Sequence, residues 1–412
     1  MDSGDTAWLL IAAALVMLMT PALALFYGGM VQGKNVLSTF MHSFFSLGLV
    51  SVQFAVIGYS LCFGTSWHGV IGGLDFVGLE GVGLGAAGDA NAMAPATTPH
   101  LAYMIYQCMF AVIAPALISG AYAERMKFSA YVIFTLAWTT LVYDPVAHWS
   151  WAAGGWLVEL GAIDFAGGTV VHLSSGISAL VVALVIGKRR GYPTVRHPPH
   201  DLTMTVIGAG LLWFGWMGFN AGGGSLTEGR AALALVNTHL AAGAGALAWV
   251  LVEGARIKKA TMLGVASGLV AGLVAITPAA GFVSPMAAIV IGGLAGAICY
   301  GGVLMKSKLG YDDALDAFGV HGVGGAAGAL LTGVFARAAY GGNEGGFALV
   351  GKQAIAIGAA AAWSAVVTFV LLKIIDRVVG LRVDPEAEHD GLDGVLHGES
   401  AYAGPGSVAH GG

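Results

Sequence analysis

Apolar residues gather along this chain into blocks about as long as a bilayer is thick, with short polar punctuation between them. A helix rises about 1.5 Å per residue, so about 20 apolar residues cross a hydrocarbon core of about 30 Å. Eleven blocks meet that length: approximately 6–32, 36–63, 100–123, 128–150, 167–187, 202–220, 231–253, 260–277, 284–305, 315–336 and 350–376. The blocks at 128–150 and 315–336 carry polar residues, so their bounds are the most open to adjustment. The pattern predicts an all-α polytopic membrane protein with eleven transmembrane helices. Composition agrees: 57 % of the 412 residues are hydrophobic and 10 % charged, where soluble domains carry roughly 25 % charged residues. The acidic start MDSGDTAWLL lacks the positive segment of a secretory signal, so the first block is expected to stay in the protein.

Charge placement gives an orientation. Lys34, Arg125, Lys127, Lys188, Arg189, Arg190, Arg256, Lys258, Lys259, Lys306, Lys308, Lys373, Arg377 and Arg382 follow odd-numbered blocks. The opposite side has Arg230, Arg337 and Lys352. Cytoplasmic loops collect Lys and Arg, which predicts an N-terminus outside and a C-terminus inside. The expected division is a transmembrane domain over 1–378 and a cytoplasmic tail over 379–412, the tail reading as a surface or partner-docking segment. Residues 64–99 read as a long Gly/Ala-rich outer loop.

A repeat lies inside the blocks. Residues 164–172 read DFAGGTVVH and residues 313–321 read DALDAFGVH, each an Asp eight positions ahead of a His. These steps open the fifth and tenth blocks, so the two copies enter the membrane from opposite sides. That is the signature of an inverted repeat, helices 1–5 related to 6–10 with helix 11 added. The halves run about 6–190 and 202–337, with helix 11 at about 350–376. FYGG (26–29) has a loose counterpart in FNAGG (219–223).

Eight helical residues rise about 12 Å. Starting from opposite interfaces, His172 and His321 then meet near the midplane with only roughly 6 Å of depth between them. Ionisable groups at that depth usually serve function. A neutral imidazole pair sharing a hydrogen bond suits a small polar solute or a proton relay, and two histidines bracing helices is the plainer alternative. Asp164 and Asp313 sit where a carboxylate caps free helix N–H groups, and Asp164 can also favour a cation beyond the helix start without touching it. Asp312 and Asp316 compete with Asp313 for the inner role. Tyr106 and Phe110 lie one turn apart, and Trp149, Trp151 and Trp156 crowd the end of block four. Interfacial tryptophans commonly anchor, yet a cluster of aromatic faces also attracts a small cation.

Other classes fit less well. The net charge is −5 with no basic stripe, which argues against a nucleic-acid partner. Cys62, Cys108 and Cys299 have no metal-type spacing, and no nucleophile–base set or phosphate loop marks an enzyme. Haem between the histidines would need a roomy four-helix pocket and no paired aspartates. No cofactor is expected.

The stretches AHWSWAAGGW, IDFAGGTVVH, GFNAG, ITPAAG, FGVHGVGG and VGLRV together resemble the Amt/Mep/Rh ammonium transporter family, its microbial Amt branch above all, from about Trp8 to Tyr402. The resemblance implies eleven spans, a homotrimer with one pore per subunit, and ammonium or ammonia as the substrate in a cytoplasmic membrane. It implies an outer recruitment site at Trp151, with Phe110 as an aromatic wall, Tyr106 in the vestibule and Asp164 required nearby. Phe110 and Phe219 match the stacked rings that close the pore entrance. His172 and His321 match the twin histidines of a hydrophobic lumen, and Asp313 is the inner supporting residue. The family often has a serine four residues after the gating phenylalanine. Here that position is Gly223, and Ser225 lies two residues on. The resemblance also implies that a PII-type regulatory protein can dock at the inner face. An ammonium sensor on the same scaffold and a passive Rh-like gas channel are the alternatives.

Overall fold

The structure, a computed structural model, describes residues 1–86, 96–195, 197–223 and 229–402. Ten helical stretches among them are long and apolar enough to cross a membrane: α1 (Ser3–Met30), α2 (Val36–Phe63), α3 (His100–Tyr122), α4 (Phe128–Leu160), α5 (Gly168–Ile186), α6 (Leu202–Ala221), α7 (Arg230–Ile257), α9 (Pro285–Leu309), α10 (Phe318–Phe335) and α11 (Phe347–Val378). A shorter apolar helix, α8 (Met262–Ile276, 15 residues), fills the remaining predicted place. The chain is a multi-pass helical membrane protein, and the eleven predicted blocks each have a helix.

The starts follow local chemistry. Asp2 accepts the Asp5 N–H, Asp201 that of Met204, Thr261 that of Gly264, and Ser284 that of Ala287 with Pro285 next to it. Each cap satisfies a donor that has no partner inside its helix. Large apolar side chains such as Leu247, Leu251, Val366 and Phe369 stay exposed on the outer flanks of α7 and α11. In water such faces would be a liability; against lipid they are the natural surface.

Both ambiguous blocks contain irregular helix, as do α2, with a π-turn at Phe54–Gly58, and α5. α4 carries a π-turn at Thr139–Tyr143 and leaves the helical path after Trp151 before a last turn at Trp156–Leu160. α10 opens with a π-turn at Phe318–Gly322, and α5 opens the same way at Gly168–Leu173. The Asp-to-His step is therefore not continuous helix. Asp164 lies four residues before the start of α5, and Asp313 five before that of α10. Rise per residue thus overstates the depth of the histidines below their aspartates. The repeat organises the packing: α1 lies along α6 in the most extensive helix pair, and α5 crosses α10. The segment after α2 is less featureless than its composition indicated. It forms a hairpin of β1 (Ser66–Trp67) and β2 (Ile71–Gly72).

The tail docks against the ends of the helices rather than standing free. The Lys127 N–H donates to the Leu381 carbonyl (2.9 Å), and the Val383 N–H to that of Arg125 (3.0 Å). Asp393 accepts the Leu37 and Ser38 N–H groups at the start of α2 (3.0 and 2.8 Å). Behind this lies a buried ion cluster. Arg189 pairs with Glu124 and Asp312, both at 2.9 Å. Glu124 also accepts from the Gln32 N–H and the Asn35 amide, while Arg125 donates to the Asp312 carbonyl. Burial pushes both carboxyls up, but the Arg189 guanidinium and the donated hydrogen bonds outweigh it and hold them below their ordinary values.

A depressed folded-state pKa gives stability that is present above the unfolded value and lost as pH falls through the folded one. Arg189→Gln leaves two carboxylates buried without their partner, at a cost on the order of 3–5 kcal/mol. Thermal unfolding of the purified variant is expected well below that of the parent at pH 7, with the gap narrowing below about pH 4 as the carboxyls protonate. Equal melting temperatures at pH 7 would contradict this role.

Candidate functional site

The glycines of the repeat let two backbones meet. A methyl group at Gly176 in α5 would collide with the backbone N and Cα of Gly322 in α10. This contact joins α5 just past its π-turn to the last residue of the α10 π-turn. A π-turn adds a residue to the turn and breaks the regular phase of side chains. Here both turns bring a histidine to the seam: the His172 and His321 Nδ1 atoms lie 3.3 Å apart, with ring centroids at 5.3 Å. Both rings are buried. One Nδ1 must carry a hydrogen and the other a lone pair, so the accepting ring is neutral, and where both rings are neutral they are of opposite tautomer.

Each π-turn is held from its start by a carboxylate. Asp164 Oδ1 accepts from the Gly167 and Gly168 N–H groups (2.9 and 2.7 Å), and Oδ2 from Thr169 and Val170 (2.8 and 3.1 Å). Gly167 provides the turn with φ +108°, a conformation side-chain-bearing residues rarely adopt. Asp313 does the same more sparsely, accepting from Ala317 (3.1 Å) and Phe318 (2.8 Å). Of its competitors, Asp312 is taken by Arg189, and Asp316 pairs with Lys306 at 2.5 Å. So the structure places Asp164 in a helix-capping position, its oxygens turned into the α5 start.

A ladder of rings leads away from the histidines on the side opposite the tail. His172 lies against Phe219 (5.9 Å) and Trp216 (5.2 Å). Phe219 stacks on Phe110 at 4.1 Å and 25°, and Phe110 meets Trp151 edge-on at 6.0 Å. Tyr106 stands against Phe110 and donates from its hydroxyl to the Phe219 carbonyl at 2.6 Å. Trp151 donates to the Asp164 carbonyl at 2.8 Å, tying the aromatic wall to the capped turn. Above the Phe110–Phe219 stack is a small vestibule of about 20 Å³, lined by Tyr103, Tyr106, Gln107, Phe110, Trp151 and Gly223 among others. Below it is a lumen of about 10 Å³ lined by the two histidines and otherwise by apolar or aromatic groups such as Leu23, Phe26, Ile113 and Trp216. About 10–15 Å³ is the least that holds one water, so the lumen admits something water-sized in single file and no hydrated ion. His172 Nε2 is buried there with no protein partner among the described residues.

The predicted residues Trp151, Phe110, Tyr106, Gly223, Phe219, His172 and His321 are thus strung along one path, with Asp164 and Asp313 at the helix starts behind it. A Cβ built at Gly223 would find only ordinary contacts, at 3.9 Å from the Phe165 carbonyl oxygen and the Tyr106 hydroxyl. Ser225 lies outside the described residues. Sequence reasoning missed Trp216, which stacks on His172 and donates to Thr277 Oγ1 at 2.9 Å. Its signal was present: Trp216 precedes Phe219 by three, the spacing of one helix face.

The family described as "Ammonium Transporter Family" matches residues 7–402. The chain belongs to the ammonium transporter family. An "Ammonium transporter" of Bacillus subtilis is 51 % identical over 98 % of this chain and 99 % of its own length. The crystal structure of Saccharomyces cerevisiae Mep2 superposes with a TM-score of 0.86 at 39 % identity, covering 94 % of this chain and 88 % of that one. A solved "Sensor Amt Protein" superposes with a TM-score of 0.87 at 29 % identity, covering 95 % of this chain and 98 % of that one. The family is one of transport rather than catalysis.

The Gly176–Gly322 contact gives a test. Gly176→Ala is expected to destabilise the fold by about 1–3 kcal/mol and to part the histidines. Gly210→Ala, with open space around its Cβ, is the matched control. A Gly176→Ala protein that melts and conducts like the parent would mean the crossing tolerates separation.

Proposed function

We propose that the protein carries ammonium nitrogen across the cytoplasmic membrane. Ammonium is held at the vestibule, gives up a proton there, and passes the histidine lumen as ammonia. The observation that carries this reading is the union of an aromatic vestibule with a water-sized, largely apolar lumen whose polar groups are two hydrogen-bonded imidazoles. Magnitudes decide the protonation step. Cation–π attraction at Trp151, Phe110 and Tyr106 offers about 0.5–2 kcal/mol. Carrying an unpaired cation to the middle of a membrane costs roughly 3 kcal/mol or more. The aromatic faces therefore concentrate ammonium but do not offset its desolvation farther in. The ion must split at the stack into ammonia and a proton that passes to water on the vestibule side, and ammonia regains a proton from water at the tail-side mouth. In the lumen, ammonia donates to or accepts from the imidazole Nε2 atoms.

The roles follow from placement. Phe110 and Phe219 close the entrance to water, and His172 and His321 guide the neutral solute. Asp164 holds the α5 start in register and adds negative charge behind the vestibule; Asp313 supports α10. The charge pattern of the loops supports a cytoplasmic tail face and an external N-terminus. By kinship with the family we extend the proposal to a homotrimer with one pore per subunit and to a PII-type regulator at the tail face. The transmembrane domain spans 1–378 and the tail 379–412. The sensor description of one structural neighbour favours a second reading, in which this chain reports external ammonium through a partner.

The first test is charge movement in proteoliposomes after an ammonium jump at fixed pH. A saturable current, lost in the His172→Ala/His321→Ala double variant, is expected if a proton crosses with each ammonia. Protein-dependent internal alkalinisation without current assigns passage to ammonia alone, as in a gas channel. Flux unchanged in the double variant would overturn the histidine route, and no flux at all would favour the sensor.

The free space at Gly223 gives another expectation. Gly223→Ser adds a hydroxyl beside Tyr106, and a hydrogen bond to a charged partner contributes about 1.5–3 kcal/mol. Half-saturation is expected to fall roughly tenfold. Unchanged half-saturation would mean that the vestibule already supplies that contact.

A further inference from the structure

The largest of the cavities described lies away from the pore, on the tail face, with a volume of about 280 Å³. Three separate segments wall it: the α1–α2 turn with Gln32 and Lys34, the stretch after α5 with Arg189, Arg190 and His197, and the tail helix α12 (Pro385–Asp390) with Glu388 and His389. Its carboxylates are already engaged. Glu124 is held by Arg189, Gln32 and Asn35. Glu388 is held by Arg382 at 2.7 Å and by the Arg190 N–H at 2.7 Å. Two cations are not so engaged. The Lys34 ammonium meets the His389 carbonyl, and the Arg190 guanidinium meets the Pro385 carbonyl at 3.5 Å; among the described residues neither side chain forms an ion pair. His197 adds a donor. With the Gln32 amide donating to its Nδ1 (3.3 Å), the proton resides on Nε2, which is buried and has no partner among the described residues.

We propose that this cavity binds a phosphate group borne on a small polyol, with Lys34 and Arg190 as its counter-charges and His197 as a neutral donor. Two unspent cations match a phosphomonoester, which carries about −1.5 to −2 at neutral pH. A guanidinium fork is suited to phosphate oxygens. The volume exceeds what a bare phosphate fills and approaches the roughly 300 Å³ at which small-molecule sites begin. Because each wall comes from a different segment, a bound phosphate fastens the tail to the α1–α2 turn and to the segment after α5. A soluble sugar- or glycerol-phosphate offers this chemistry in full; a glycerophospholipid headgroup offers the same phosphate oxygens beside a polyol, as a phosphodiester with a single negative charge.

The experiment uses the full-length protein in phosphatidylcholine nanodiscs, titrated calorimetrically with glycerol 3-phosphate. Saturable binding is expected, weakened roughly tenfold or more in Lys34→Gln/Arg190→Gln and unchanged in Arg256→Gln, a cation in the last turn of α7. Arg190→Gln alone changes an exposed residue, and its weakened binding at an unaltered melting temperature separates loss of the site from loss of the fold. A parallel arm uses nanodiscs that also contain phosphatidylglycerol, read by native mass spectrometry. Phosphatidylglycerol retained by the parent and released by the double variant, with no glycerol 3-phosphate binding, identifies the headgroup as the ligand. Absence of both, or binding indifferent to the double variant, overturns the proposal.

Discussion

A hydrogen bond between two imidazole nitrogens in a membrane interior is a demanding object. It exists only while one Nδ1 carries a hydrogen, the other keeps a lone pair, and the rings are held at contact distance. The Nδ1 atoms of His172 and His321 meet that requirement at 3.3 Å, and much of the surrounding architecture can be read as its support. Wide turns at Gly168–Leu173 and Phe318–Gly322 aim the rings. Capping carboxylates hold those turns from their open ends. Glycine at positions 176 and 322 lets the helices come close enough for the rings to touch. Each support is local and inexpensive, while the object they hold would not form between two free helices.

The sequence made the helix count and the repeat legible because both rest on simple periodicities: block length against bilayer thickness, and a polar step recurring in opposed orientation. It also placed the histidines together, although through a rise that assumed continuous helix. The three non-helical residues after each aspartate were not legible, since a π-turn and a capped loop leave no composition of their own. Trp216 was overlooked because a tryptophan in an apolar block looks like any core aromatic until its neighbour is known to be His172. The ion cluster of Arg189, Glu124 and Asp312 was invisible for another reason. Its members lie far apart in the chain, and in the sequence their charges appeared as loop punctuation that set orientation.

That cluster also changes what the tail is. A Gly- and acid-containing segment of this length has too little apolar surface to fold by itself. It gains order by borrowing partners: backbone bonds to Arg125 and Lys127, and the free N–H groups of α2 for Asp393. Arg125 and Arg189 both contact Asp312, the residue before the carboxylate that caps α10. The docked tail and the inner half of the histidine pair therefore lean on adjacent residues of one short segment.

The opposed orientation of the two halves has a thermodynamic corollary. The helices that supply the lumen's two polar rings enter from opposite faces, and Phe26 and Phe219 stand in corresponding places in the two halves. A solute that reaches the rings from one side passes Phe219 and from the other Phe26. Such a lumen has no intrinsic arrow. Rectification, where it occurs, belongs to the unlike mouths, aromatic at one and ion-paired at the other. Net direction in the lumen is set by the gradients across the membrane, so a passage built this way runs backward as readily as forward when they reverse.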